Sequence, residues 1–589
     1  MKLILDVETN GFLEKLDTIH CMVFKDIDTG KVYSYNPDQL DEGLKLLKKA
    51  TLLVGHNLLG FDIPALAKVF GKKFEFNGAI LDTLLCSRLI WTNRSDLDYT
   101  YKNLPPKLFG KHSLESWGYR LGLRKGDFQE HNNFDVWTLD MQDYCERDVE
   151  VTFLLYKLIN AENYSKKAIQ LEHQFAYWIC KQEQGGVDFD ETSAEKLCSI
   201  LTKRRLELEQ QLALVFSAWK KSIGFKTYKR DNIKRGIKAG VPVEQFKTEI
   251  FNANSRDHIA SRLKTLGWKP KDFTATGKPE VNESILKELP YPEAKLISEH
   301  LLIQKRLGQL SDGKQAYLKL TTKGKIHGKI ITNGAVTGRC THHSPNLSQC
   351  SSKAVKYGTE MRSLFVAPTD MVMCGIDFSG IELRVLSHFM YSFDNGDFQK
   401  TLLEADIHTK NQQLLGLQSR AKAKTFIYAY VYNAGDKRLS DILEVSLTEA
   451  KRIRATFEKA IPALKQLKTA VAVKYRNQQW VYGLDKRKLM CRAEYSSLNT
   501  LIQSAGALLV KAGTVIVNND LQQAGFVWGK DYRMVLHVHD EMQFVVLKNK
   551  IEEFKKVANQ LFDKTQKYFD FKCPLAGEIK TGNNWSATH

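Results

Sequence analysis

The spacing of apolar residues divides the chain into segments of different period. Lys2 to Val7 is a short apolar run that predicts a strand, and Asp6 and Glu8, two apart, project from one face of it. Thr51 to Val54 predicts a second strand, which leads into the turn-rich GHNLLGFD ending on Asp62. The run VTFLLYKLI is helical, and just before it Tyr144 and Asp148 stand four apart, on one helix face. Helical spacing continues from Leu171 to Phe216, broken by a GGVDFD turn at Gly185, and resumes from Ser255, with a basic amphipathic stretch around Gln304 to Leu310.

Further on, Met371 to Ile376 predicts a buried strand that stops at Asp377. Ser379 precedes Glu382 by three residues, and Leu383, Leu386 and Phe389 follow at helical spacing, which predicts a helix opened by a capping box. A charge at a buried strand end requires a cation or a hydrogen-bond network. Arg420, Lys424, Tyr428 and Tyr432 recur at intervals of four and so line one helix face, and like charges stacked this way favour a bound anion. Two cations followed by two rings suit a nucleotide, with phosphates at the cations and the base against a ring. From Met534 to Val546 apolar residues flank His539, Asp540 and Glu541, a pattern for a tight hairpin with its acidic residues at the tip. Taken singly, each feature has a plainer explanation: a turn aspartate, a cap glutamate, a surface helix with extended lysines.

Composition narrows the class. The chain has 589 residues, enough for three or four structural units, with the apolar and charged fractions of a globular protein (43% and 26%). No apolar run is expected to reach membrane-spanning length, and MKLILDVETN turns acidic too early for a signal peptide. A formal net charge of +19 points to a polyanionic partner, nucleic acid first. Ten scattered cysteines without a C-x-x-C pair argue against a zinc module or disulfide framework and for a reducing compartment. Basic residues concentrate in Lys220, Lys221, Lys226, Lys229, Arg230, Lys234, Arg235 and Lys238, against Asp231 alone, with Phe225 and Tyr228 interleaved. Such a run is either a solvated loop or faces phosphate. Carboxylate clusters with few histidines suit hard cations such as Mg²⁺ or Mn²⁺.

The order DVE, GHN with a downstream Asp62, then Y-x-x-x-D resembles the DEDDy 3′→5′ exonuclease domain, which has a ribonuclease-H-like fold. That resemblance implies that Asp6, Glu8, Asp62 and Asp148 hold two metal ions and that Tyr144 orients the attacking water.

The D-x-S-x-x-E setting of Asp377, the Arg/Lys/Tyr helix and the HDE hairpin, in that order, resemble the three polymerase motifs of family A DNA polymerases, most closely the replicative enzymes of podovirus-type, short-tailed phages. DIHTKNQ, AKTFIY, LNTLIQSAGALL, SRDHI and the NW…H ending on His589 belong to the same resemblance. It implies an α/β (mixed α+β) chain: exonuclease domain at 1–165, thumb at 166–335 with a basic loop at 220–250, palm at 336–400 and 483–589, and fingers at 401–482. It further implies two Mg²⁺ ions, or Mn²⁺, on Asp377, Asp540 and the Phe378 carbonyl. Lys424, Arg420 and His408 would bind the triphosphate, Tyr428 would pack beside the sugar, Tyr432 would lie near the template base, and Glu382 would exclude ribonucleotides. Arg339, Asn499, Gln503 and His539 would contact primer, template or the new pair in the minor groove, whose acceptors are nearly sequence-independent.

The implied partners are primer-template DNA, dNTPs, a phage helicase-primase and a single-stranded DNA-binding protein, in the cytoplasm of an infected bacterium and away from membranes. A host thioredoxin-type processivity factor is also implied, although the basic segment between Trp219 and Phe251 is shorter than the insertion that docks it. Asn433 stands where the pattern has glycine, and asparagine tolerates the left-handed geometry expected there. Three rival readings are a single-subunit RNA polymerase, a DNA-binding scaffold without catalysis, and a His-Asp phosphohydrolase. Glu382 and the exonuclease motif disfavour the first, complete carboxylate sets the second, and the strand-like setting of His539 and Asp540 the third.

Overall fold

A computed structural model describes residues 1–123, 134–404 and 406–589. The chain divides into two compact units. One comprises Met1–Val187, His327–Gln349 and Val366–His589; the other comprises Asp188–Ile326 and Cys350–Phe365.

Two sheets organise the first unit. In the N-terminal sheet the strand order is Val32–Tyr35, Ile19–Asp26, Lys2–Thr9, Leu52–Gly55, Ala79–Asp82. Lys2–Thr9 is central, antiparallel to Ile19–Asp26 and parallel to Leu52–Gly55. Leu3, Leu5 and Val7 pack with Ile19, Met22 and Phe24 on one face. On the other, Ile4 packs with Cys145, Val149 and Phe153 of the helix Leu139–Ala161. Asp6 and Glu8 follow Ile4 at intervals of two, so strand alternation puts them on the helix side.

The second sheet runs Tyr532–Val538, Glu541–Leu547, Met371–Phe378, Gly577–Gly582, all antiparallel. The helix Ser497–Gln523 packs Leu501, Ala505, Leu508 and Ala512 into the same core as Ile376, Phe378 and Ile381. This helix corrects the expectation about apolar length: Glu494–Gln523 is long and apolar enough to cross a membrane. It is apolar nearly all round because 83% of its most apolar window is buried inside the protein, where Lys511 finds Glu172 and Thr514 bonds back to Val510.

The predicted capping box is also absent. The helix Ile381–Asp394 starts from Gly380 in the left-handed region (φ 60°) with no side-chain cap. The Ser379 N–H is tied to the Ala576 carbonyl at 2.9 Å, so the chain turns at the glycine instead, and the Glu382 side chain is used elsewhere. Asn433 does take the left-handed geometry, at φ 61°, after the helix Arg420–Val431.

In the second unit the helices Glu191–Val215 and Pro292–Leu307 are joined by a two-pronged Arg204–Glu299 pair at 3.2 and 3.0 Å. Leu212, Phe216, Ile259, Leu263 and Ile297 form its small core. The basic segment is part ribbon and part loop: Lys220, Lys221 and Lys226 lie on a strand, and Lys229, Arg230, Lys234, Arg235 and Lys238 lie in the connection between two strands. Trp219–Thr227 and Pro242–Glu249 pair as an antiparallel ribbon, exposed on both faces, with Arg262 stacked 4.0 Å from the Trp219 ring at its base. Pairing satisfies the backbone, which leaves the side chains, cations together with Ile223, Phe225 and Phe246, directed outward.

Candidate active sites

The hairpin between Tyr532–Val538 and Glu541–Leu547 turns through His539, exposed at φ 56°, and Asp540. Asp377 lies opposite Glu541 on one side and Glu578 on the other, and the Phe378 N–H donates to the Asp540 carbonyl at 3.2 Å. Backbone pairing therefore sets Asp377 beside Asp540. Burial, then the charges of Asp540 and Glu541, push Asp377 up to about 6 against the opposing pull of His589 and Lys580. The Phe378 ring packs on Phe562 and covers Gly513 so closely that a Cβ there would sit 2.8 Å from it, which holds the backbone carrying the Phe378 carbonyl. Glu541 differs from its neighbours: it is buried, accepts from Trp585 Nε1 and Gln543 Nε2, and pairs with His589 at 2.5 Å.

Ser419 caps the helix Arg420–Val431. Arg420 pairs with Asp406 at 2.6 Å and Lys424 is exposed one turn on. The rings of Tyr428 and Tyr432 continue the row, with centroids 6.4 Å apart. His408 stands with its ring 6.3 Å from Tyr428; its Nδ1 is buried and has no partner among the described residues. Burial, then Arg420 and Lys424, lower its pKa. The Tyr432 hydroxyl donates to Glu382 Oε1 at 2.5 Å, and Arg339 lies 3.8 Å from the same oxygen. Burial, then the nearby Glu382 and Asp540 carboxylates, raise the Tyr428 pKa. A cleft of about 360 Å³ is lined by Arg339, Glu382, His539 and Asp540 together with His342 and Lys511. Asn499 and Gln503, one turn apart on Ser497–Gln523, are half-buried outside that lining, and the Asn499 amide oxygen has no partner among the described residues.

The second carboxylate group assembles on the N-terminal sheet. Atoms of Asp6, Glu8 and Cys145 lie within 4.8 Å of one another. The Cys145 thiol donates to the Asp6 carbonyl and to Asp6 Oδ2, both at 3.4 Å, which pins the helix Leu139–Ala161 to the strand. Burial and then the Asp6 charge hold the Asp62 carboxyl well above the usual range. Asp148, 3% exposed, lines with Asp6 a cleft of about 740 Å³. Tyr144 is buried one turn before Asp148, packed with Met141 beside Phe134 and Trp137. The turn carrying Asp62 is held by Asp82, which accepts from the N–H groups of Asn57 at 3.0 Å and Leu59 at 3.1 Å.

Asp82 and Cys145 were not legible as site residues, and Glu541, expected at the hairpin tip with Asp540, instead begins the strand Glu541–Leu547 and is buried. Asp82 is the last residue of the short strand Ala79–Asp82 and caps the helix that follows, and an aspartate at a strand-to-helix junction is the signal the sequence offers. Nothing in the spacing pointed to Cys145.

The sequence model of the DNA polymerase family A matches residues 234–587. The DNA-directed DNA polymerase of Enterobacteria phage T3 is 33% identical, with 100% of both chains covered. That of Escherichia phage T7 is also 33% identical, over 99% of both. The POL domain of Pol1 from M. smegmatis, solved in complex with DNA primer-template and dNTP, has the same fold: a TM-score of 0.73 at 16% identity, over 100% of this chain and 96% of that one. The mixed α+β polymerase fold, the paired carboxylates on its antiparallel sheet and full-length likeness to the phage enzymes meet in one assignment: the chain belongs to the DNA polymerase family A and is a template-directed DNA polymerase.

Proposed function

We propose that the chain extends a DNA primer on its template from dNTPs at the Asp377 and Asp540 site and trims the 3′ end at the Asp6, Glu8, Asp62 and Asp148 site. The setting is phage genome replication in the cytoplasm of an infected bacterium. The carrying observation is electrostatic: each site gathers carboxylates close enough that one of them, Asp377 or Asp62, is pushed upward by a neighbour's charge as well as by burial.

Such groups favour cations. The oxygen donors of Asp377, Asp540 and the Phe378 carbonyl suit a pair of Mg²⁺ ions, as do Asp6, Glu8, Asp62 and Asp148; Mn²⁺ fits the same donors. When bound, these ions lower the pKa of the attacking hydroxyl and neutralise the departing oxygens. The Cys145 thiol, held protonated by burial and donating to Asp6, acts as a prop for that carboxylate.

The remaining roles belong to side chains. Arg420, Lys424 and His408 take the triphosphate, and Lys424 offsets charge on the departing pyrophosphate. Tyr428 packs against the sugar. Glu382, kept in place by the Tyr432 hydroxyl, crowds the 2′ position and rejects ribonucleotides. Tyr432 lies near the template base. Arg339, Asn499, Gln503 and His539 read minor-groove acceptors common to all base pairs. Tyr144 orients the water that cleaves the 3′ terminal nucleotide. Helicase-primase, single-stranded DNA-binding protein and a thioredoxin-type factor are the protein partners this reading implies, and the exposed basic ribbon Trp219–Glu249 holds duplex phosphates.

A labelled primer-template in Mg²⁺ tests the reading. Extension with dNTPs, no extension with rNTPs, shortening from the 3′ end without nucleotides, and loss of both activities in EDTA are expected. DNA binding with no nucleotide-dependent extension would overturn it.

A further inference from the structure

The two clefts share a wall. The antiparallel ribbon of Lys329–Ile331 and Thr341–His343 pairs Lys329 with His343 and Ile330 with His342. Neighbouring residues of a strand face opposite ways. His342, together with Arg339 and Cys340, lines the cleft that holds Asp540. His343 lines the cleft that holds Asp6 and Asp148, together with Lys329, Ile330, Ile331 and Thr332 of the facing strand and its end, so the division between the clefts is made by the neighbours His342 and His343.

This ribbon is fastened rather than free. Glu183 of the helix Lys166–Gly185 accepts from the Ile330 N–H at 2.6 Å and stands 3.7 Å from Lys329. Lys511 donates to the Thr332 carbonyl at 2.8 Å and to Glu172 at 2.7 Å, and Arg487 reaches both Glu172 and Asn333. Glu172, Lys511 and Arg487 are 0%, 1% and 2% exposed. Buried charges persist only when each is matched, so this network holds the ribbon in one place. Where the chain returns, Gly334 is so close to Thr341 that a Cβ would lie 1.9 Å from its hydroxyl.

Each face offers donors to a polyanion. On one side His343 stands near Lys329 and Arg88. On the other His342 stands near His539, in a cleft that Arg339 also lines.

We propose that this two-faced ribbon, given the exonuclease reading above, partitions a primer's 3′ end between the two clefts. Lys329 and His343 hold the phosphodiester backbone of an unpaired end; His342 holds that of a paired one, beside the minor-groove contact of Arg339. Substitutions on the two faces must then shift the partition in opposite directions, whereas a merely structural ribbon, once loosened, shifts it one way from either face.

The test places 2-aminopurine at the 3′ terminus of a primer-template, bound to excess full-length enzyme in Ca²⁺. Stacked in a duplex the base is dim, and unpaired it is bright. Lys329→Ala with His343→Gln should lower the bright fraction about threefold, and His342→Gln should raise it by a similar factor, the size expected for removing a half-exposed polar interaction. Glutamine keeps a polar side chain, and equal thermal melting of the variants excludes misfolding as the cause. Shifts of the same sign, or no shift, would overturn the proposal. The exonuclease reading is checked separately, by whether wild type but not Asp6→Ala degrades a free single-stranded oligonucleotide in Mg²⁺.

Discussion

On the C-terminal sheet two carboxylates are set side by side by backbone pairing; on the N-terminal sheet Asp6 and Glu8 share a strand face, and Asp148 and Asp62 are brought by two different helices, Leu139–Ala161 and Asp62–Phe70. Asp377 and Asp540 are fixed by the register of adjacent strands and by the Phe378 N–H bond to Asp540, and they remain half-buried. Asp62 and Asp148 are each 3% exposed, and Asp6 reaches Cys145 across the strand–helix contact. A register cannot slide without turning every side chain to the other face, so the first arrangement tolerates changes around it. The second relies on close packing and leaves carboxylates far from water, so it depends more strongly on neutralising charge.

The contrast can be broken by substitution. The largest effect is expected at the hairpin tip: Asp540→Ala should cut primer extension by about a thousandfold or more, since it removes a residue that would hold the cations. Glu541→Gln, one residue on, should cost only about 10- to 100-fold, because Glu541 positions its neighbours through Trp585 and His589. Steady-state kcat for both variants measures the gap; equal losses would erase the distinction between holding and supporting residues.

Next comes the sugar pocket. On the proposed packing of Tyr428 beside the sugar, where its hydroxyl would fill the place of a missing 3′-OH, Tyr428→Phe should raise discrimination against dideoxynucleotides on the order of a hundredfold, with little change for dNTPs. Chain-termination ratios read this directly, and unchanged ratios would misplace Tyr428.

The basic ribbon gives a smaller effect. Replacing Lys229, Arg230, Lys234 and Arg235 with alanine should weaken DNA binding about tenfold at moderate salt. It should also flatten the log affinity–log salt slope by about 1 for each phosphate the ribbon no longer neutralises. Products made in one binding event should shorten. An unchanged slope would leave the ribbon to a protein partner.

The smallest effect concerns stability. Asp377 binds its proton more tightly folded (about 6) than unfolded (3.8), so its ionisation destabilises the metal-free fold as pH rises through that window. Asp377→Asn should therefore stabilise the metal-free protein at pH 8 by about 1 kcal/mol, after discounting for solvent at a half-buried group, and hardly at all at pH 4. Urea midpoints at the two pH values provide the check.

Much of this was legible in the sequence because periodicity reports local geometry. Asp6 and Glu8 share a strand face, Tyr144 and Asp148 a helix face, and the hairpin at His539 and Asp540 follows from its flanking apolar runs. Three features were not. Ser379 carried the residue types of a cap, but its N–H is tied to Ala576, which lies far along the chain beside the last strand of the sheet. The basic segment read as a loop throughout, which holds for 228–241, but the strands on either side were missed because charge on both faces of an exposed ribbon masks their alternation. The buried ions Glu172, Arg487 and Lys511 come from distant segments, and no local pattern announces a partner that only folding supplies.

The central claim, two separate carboxylate sites in one chain, is tested most directly on a single labelled primer-template in Mg²⁺. Asp6→Ala with Glu8→Ala and, separately, Asp540→Ala are each assayed for shortening without dNTPs and for extension with them. The account predicts that the first variant extends but does not shorten, and that the second shortens but does not extend. Loss of both activities in either folded variant would contradict it.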